Sequence, residues 1–203
     1  MRRVGDKEKL RLGVIGSGKG SNLVAMAEAC HNGALDASIA LVLSDVENAG
    51  ILAIAGSFGL HHQFVEPGNF RTKLDEDAEQ AFVHALRAAE IDLVVLTGFM
   101  RILKGEFLRA FENRVVNIHP SLLPSFPGLE AWKQAFDYGV KVSGCTIHFV
   151  DQGIDTGRII AQKTVEIRED DTAESLHARI QEAEHELYPT TIARISRGEI
   201  AIG

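Results

Sequence analysis

Asn117-Ile118-His119 puts an amide and an imidazole two residues apart, directly ahead of Pro120. In a β-strand that spacing sends both side chains to one face. An amide N–H beside an imidazole suits an oxygen that gains negative charge when a nucleophile adds to a carbonyl. Asp155 lies in the turn-like run Asp151-Gln152-Gly153-Ile154-Asp155-Thr156-Gly157 and is the carboxylate expected to join them. Beside His119 it would fix one tautomer and favour the protonated ring. Each part also has an ordinary structural reading, the first two as a hydrogen-bonded pair and Asp155 as a side chain bonded to its own turn. His148 alternates with Thr146 and Val150 on one strand face, in a supporting or structural place. No Ser or Cys occupies a nucleophile elbow, and no set of ligating side chains has metal spacing, so no metal is expected. Three polar groups without a protein nucleophile point to direct transfer between two bound substrates.

A second candidate is Gly16-Ser17-Gly18-Lys19-Gly20-Ser21-Asn22, between an apolar strand-like run and a helical one. Backbone N–H groups at such a helix start can hold a phosphate. The dinucleotide pattern G-x-G-x-x-G fails where Ser21 replaces its third glycine. The ATP-binding pattern fails where Gly20 replaces the Ser or Thr that would hold magnesium. A phosphate monoester held by backbone amides with Ser21 and Asn22 fits better, against the alternative of a tight turn without ligand.

The elements that must position these groups alternate along the chain. Strands are expected at Leu10–Gly16, Ser38–Leu43, His62–Val65, Ile91–Leu96 and Arg114–Ile118, the fourth apolar on both faces as in a buried parallel sheet. Helices are expected at Asn22–His31 with Ser21 as N-cap, Ala49–Phe58, Asn69 to about Ala89, and Lys104–Phe111. Pro120, Pro124 and Pro127 then force an extended loop, followed by a helix at Leu129–Tyr138 and two strands, Val142–Val150 and Arg158–Glu166. A last helix should start after Thr172 as N-cap, lack a capping box because Ser175 replaces Glu or Gln, and run to about Leu187, with Pro189 kinking or ending it. This order defines an α/β fold: a Rossmann-like open sheet, mostly parallel, with helices on both faces. One domain over residues 10–203 is expected, with a phosphate-binding first half, after a poorly ordered charged leader at residues 1–9.

Composition narrows the partners. The chain has 203 residues, 45% hydrophobic and 24% charged, with a net charge of −7, which argues against a broad nucleic-acid surface. No apolar run is long enough to span a membrane, and the first ten residues are too charged for a signal peptide. Cys30 and Cys145 read as buried thiols of a reducing cytoplasm. Small-molecule substrates are expected, without nucleic acid or membrane, and a homodimer is compatible with the sequence.

Taken together the motifs resemble the folate-dependent glycinamide ribonucleotide formyltransferases of purine synthesis. The resemblance runs through Ser17-Gly18-Lys19-Gly20-Ser21-Asn22-Leu23, Leu96-Thr97-Gly98-Phe99-Met100-Arg101-Ile102-Leu103, Asn117 to Pro124, Phe126-Pro127-Gly128-Leu129, Gly144 to Val150 and Asp155-Thr156-Gly157. It implies that Gly20, Ser21 and Asn22 grip the ribonucleotide phosphate, with Glu184 near the ribose. It implies a 10-formyltetrahydrofolate site lined by Arg71, Met100, Arg101, Ile102, Leu103, Asn117, Asp151, Gln152, Gly153, Ile154 and Asp155. Asn117, His119 and Asp155 would be catalytic. The chain departs from the family pattern at Arg158 (commonly proline), at Glu130-Ala131-Trp132 (commonly a histidine-bearing segment) and at Ala183 (commonly glutamine). Formyltetrahydrofolate hydrolases and methionyl-tRNA formyltransferases share the Asn, His and Asp. They usually carry an additional N-terminal regulatory or C-terminal nucleic-acid-binding domain, for which no room is expected here. A non-catalytic nucleotide-binding module is the alternative from another class.

Overall fold

Leu93 and Val95 face one apolar layer while their neighbours Val94 and Leu96 face another, so this strand is covered on both sides. That arrangement holds for the centre of a seven-stranded sheet with spatial order β3-β2-β1-β4-β5-β6-β7. The strands are β1 (Leu10–Ile15), β2 (Ala37–Ser44), β3 (His62–Phe64), β4 (Leu93–Leu96), β5 (Val115–His119), β6 (Val142–Phe149) and β7 (Ile159–Glu166). The first five pair in parallel, and β6 and β7 are antiparallel. The computed structural model describes residues 9–202. The expected leader therefore lies, apart from Lys9, outside the described residues.

Helices α1 (Ser21–His31), α2 (Gly50–Ser57) and α6 (Ala173–Ser196) cover one face, through Leu23, Met26, Ile51, Leu176, Ile180 and Ile192. Helix α5 (Ala131–Tyr138) packs on α6 at that side, Trp132 stacking on His177 with ring centroids 4.3 Å apart. Helices α3 (Glu76–Ala88) and α4 (Gly105–Ala110) cover the other face through Phe82, Leu86 and Phe107. Burying such a side chain contributes about 1.5–3 kcal/mol. The sheet order reverses direction between β1 and β4, and the C-terminal ends of these strands open at that crevice, the usual ligand position in an open α/β sheet.

Four sequence expectations are corrected. Gly20, not Ser21, caps α1: it sits at φ 84°, and a Cβ there would come within 2.8 Å of Ile51 Cα. Helix α3 starts at Glu76 rather than Asn69, because the carbonyls of the preceding loop are engaged elsewhere: Thr72 accepts from Ile102 N–H, and Phe70 and Lys73 from Arg101. Its N-cap is Asp75, whose carboxylate accepts from Ala78 N–H at 3.0 Å. Thr172 and Ser175 do form a capping box, since the Ser hydroxyl accepts the Thr172 N–H at 2.9 Å in place of a longer carboxylate. Finally, α6 passes through Pro189 to Ser196. A mid-helix proline costs about 3 kcal/mol. Burial of Tyr188, Ile192 and Ile195 around it, with the Tyr188 hydroxyl donating to Leu96 O at 2.8 Å, outweighs that cost. Elsewhere the element ends agree within two residues.

Candidate active site

Strand β5 ends in Asn117 and His119, as the alternation required, and β6 runs antiparallel beside it with His148 opposite Asn117 and Thr146 opposite His119. The pairing brings the two halves of the polar cluster together. Asn117 Nδ2 lies 3.3 Å from His148 Nε2. His148 Nδ1 is 2.8 Å from the Phe149 carbonyl, so it carries the hydrogen and Nε2 is left as the acceptor for the Asn117 amide. Burial lowers the pKa of His148, against the opposing pull of the Phe149 bond and Asp155, and keeps the ring neutral. His148 thus orients Asn117 and leaves its second amide N–H for another partner.

His119 is held from both sides. Its Nε2 faces the Phe126 carbonyl at 2.9 Å, and its Nδ1 lies 3.4 Å from Asp155 Oδ2. Facing a carbonyl, Nε2 must bear a hydrogen. A hydrogen on Nδ1 would find its acceptor in the Asp155 carboxylate. Asp155 is fixed in turn by Gly128 N–H, which donates to Oδ2 at 2.8 Å, and its backbone sits at φ 55°. Behind the pair, Thr146 Oγ1 donates to Ser121 O at 2.7 Å and accepts from Leu123 N–H at 3.0 Å, fastening the loop that follows His119 onto β6.

The glycine turn follows β1. No side chain caps α1, so the N–H groups of its first turn are left to a ligand. Asn22, buried, donates from Nδ2 to Glu184 Oε2 at 3.0 Å across 162 residues of chain, which joins the turn to α6 as expected of a shared site. Asn22 Oδ1 is also buried and has no hydrogen-bond partner among the described residues. Burial pushes the Glu184 carboxyl up to about 7, opposed in part by the Asn22 bond. Free N–H groups at one end and two acceptors at the other fit a phosphate with hydroxyl donors nearby.

The expected folate residues other than Asn117, on β5, fall on three loops. Met100 and Ile154 are exposed apolar side chains, and Arg71 is an exposed cation. Leu103, in contrast, is buried in the layer beneath α3 and α4, and Arg101 is an inward-facing side chain bonded to Asp45 and to the Phe70 and Lys73 carbonyls. Asp151 shapes its own turn, accepting from Gly153 N–H and the Thr156 hydroxyl. Gly157 closes the turn where a Cβ would lie 1.8 Å from Phe149 O. Sequence reasoning missed the Phe126 carbonyl and the Gly128 N–H, backbone groups that no residue type announces. It also missed Asp45, and only the alternation of Thr146 with His148 pointed towards the second imidazole.

A crevice at the ends of parallel strands, with an oriented amide and an imidazole beside a carboxylate, is an arrangement suited to group transfer at a carbonyl carbon. The chain belongs to the formyl transferase family, whose model matches residues 10–192. It is 42% identical over 195 residues to the phosphoribosylglycinamide formyltransferase of Bacillus subtilis, covering 94% of this chain and 99% of that one. It is also 42% identical over 198 residues to the trifunctional purine biosynthetic protein adenosine-3 of Drosophila melanogaster, covering 97% of this chain and 14% of the longer protein. The crystal structure of glycinamide ribonucleotide transformylase 1 from Symbiobacterium toebii superposes with a TM-score of 0.92 at 41% identity, over 100% of this chain and 95% of that one.

Proposed function

We propose that the chain transfers the formyl group of 10-formyltetrahydrofolate to the amine of glycinamide ribonucleotide, as a step of purine synthesis. The observation that carries this is the meeting of Asn117, His119 and Asp155 at the same sheet edge as the uncapped turn of Gly20, Ser21 and Asn22. The turn's N–H groups would hold the ribonucleotide phosphate, and Asn22 Oδ1 with Glu184 would accept from the ribose hydroxyls. Arg71, the exposed Met100 and Ile154, and the backbone around Ile102, Leu103 and Asp151–Asp155 would hold the folate, a cation for its acidic tail and apolar surface for its ring. Arg101 serves that surface from behind rather than by direct contact.

The folate supplies the formyl carbon that the amine attacks. Asn117, with its orientation set by His148, donates its second amide N–H to the carbonyl oxygen. Protonated His119, whose two ring N–H groups face Asp155 and the Phe126 carbonyl, sets a positive charge beside the same oxygen as negative charge gathers there. Asp155 holds that imidazolium, takes up the proton the attacking amine sheds, and passes it to the departing folate nitrogen. The work is done by positioned hydrogen bonds and proton transfer, with no covalent link to the protein. The net charge of −7 supports a reading in which small molecules, rather than nucleic acid, are the partners, and a cytoplasmic place belongs to the same proposal. No helix among the described residues is long and apolar enough to cross a membrane.

A donor labelled with carbon-13 in the formyl group tests the proposal. The label should appear in an amide of the ribonucleotide; label found only in formate would mean hydrolysis instead.

A further inference from the structure

Ser17, Asp45 and Arg101 follow the C-terminal ends of three neighbouring strands, β1, β2 and β4, and are joined in one partly buried chain of hydrogen bonds. The Ser17 hydroxyl donates to Asp45 Oδ1 at 2.6 Å, and Arg101 Nε donates to Asp45 Oδ2 at 2.6 Å. The Asp45 side chain is 3% exposed and that of Arg101 15%. The same Ser17 hydroxyl accepts the Met100 N–H at 3.0 Å, and Ser17 N–H donates to Gly98 O at 3.2 Å. Beyond Asp45, the Arg101 guanidinium reaches the Phe70 and Lys73 carbonyls, and Ile102 N–H donates to Thr72 O at 2.9 Å. The chain of contacts therefore runs from the glycine turn, through Asp45, to the 98–103 segment and on to the loop that carries Arg71.

We infer that Ser17 and Asp45 are positioning residues: they fix the phosphate-holding turn against the folate-lining segments and so set the distance between the two substrates. The inference rests on the assignment of those loops in the proposed function. Neither residue reaches the reacting atoms. Asp45 works because a carboxylate offers an acceptor on each oxygen, one to the hydroxyl and one to the guanidinium. An amide in its place can keep its oxygen on the guanidinium only by turning its NH2 to Ser17, so the hydroxyl link reverses and the charge that holds Arg101 is lost. A relay held at both oxygens of the buried Asp45 carboxylate is stiff, and transfer between two bound molecules is sensitive to small displacements of either. Loss of the relay should thus appear in turnover rather than in the affinity of either substrate, each of which keeps its own loop.

The test uses Ser17→Ala, Ser17→Thr and Asp45→Asn, with steady-state kinetics varied in both substrates and thermal unfolding alongside. Ser17→Ala leaves the Asp45–Arg101 ion pair in place and so keeps the test valid if Asp45→Asn folds poorly. In Ser17→Ala, kcat should fall about tenfold or more while both KM values stay within about threefold. Ser17→Thr, which restores the hydroxyl, should recover most of that loss. Where Asp45→Asn folds, adding Ser17→Ala to it should cost little more than the worse single change, because both cut one relay. Wild-type kcat in Ser17→Ala, no recovery in Ser17→Thr, or fully additive losses would each overturn the relay. Failure of the wild-type protein to turn over the two substrates overturns the functional reading itself, and the relay with it.

Discussion

His119 Nδ1 lies 3.4 Å from Asp155 Oδ2, the same oxygen that accepts the Gly128 N–H, while its Nε2 is bound to the Phe126 carbonyl. An asparagine at 155 that keeps its oxygen on the Gly128 N–H also keeps that oxygen towards Nδ1, because both contacts fall on Oδ2. It carries no negative charge to hold an imidazolium or to take up the proton of the amine. Asp155→Asn should therefore fold and bind both substrates within a few-fold of wild type, with turnover lowered by roughly a hundredfold or more. Stopped-flow and binding measurements on the variant check this; wild-type turnover would remove Asp155 from the chemistry.

His148 holds Asn117 through Nε2, which also lies 3.7 Å from Asp155 Oδ1. His148→Phe keeps a ring in the buried position but removes the acceptor that fixes the Asn117 amide. We expect kcat to drop by about tenfold, with little change in either KM. A variant whose loss lies wholly in folate KM would place His148 in binding instead.

Gly20 is required by backbone geometry, so Gly20→Ala is a test of the turn. Its added Cβ meets Ile51 Cα at 2.8 Å, and φ 84° strains any L side chain. Ribonucleotide affinity should weaken by about tenfold or more while tetrahydrofolate binds as before. Calorimetric titration of each ligand separates the two, and the reverse pattern would move the phosphate away from this turn.

Glu184 gives the fold a pH dependence of known sign. Its carboxyl rises from an ordinary 4.5 to about 7 on burial, so the native state binds the proton more tightly than the unfolded chain. The resulting stability is complete below pH 4.5 and is lost as pH climbs through 7. In urea unfolding, wild type should lose on the order of 3 kcal/mol relative to Glu184→Gln across that window. A difference independent of pH would show that the carboxylate is not desolvated.

Much of this site was legible in the sequence because it depends on local period. Asn117 and His119 share a face through the two-residue repeat of a strand, and the glycines of the turn announce a helix start. Apolar runs alternating between strand and helix spacing gave the layered sheet. What was hidden is long-range or backbone in origin. Arg101 carries a charge that suits an anionic substrate, yet Asp45, 56 positions away, captures it, and no spacing rule encodes that meeting. The start of α3 moved because carbonyls of the preceding loop were taken by Arg101 and Ile102. The helix passed Pro189 because tertiary burial outweighed a local penalty that the sequence shows plainly.

Direct transfer between two bound substrates is read from the rate of tetrahydrofolate release. With 10-formyltetrahydrofolate alone the release should be negligible. It should rise and saturate as glycinamide ribonucleotide is added, each turnover yielding one formylated ribonucleotide. Release at the same rate without the ribonucleotide, or none in its presence, would rule out direct transfer between the two.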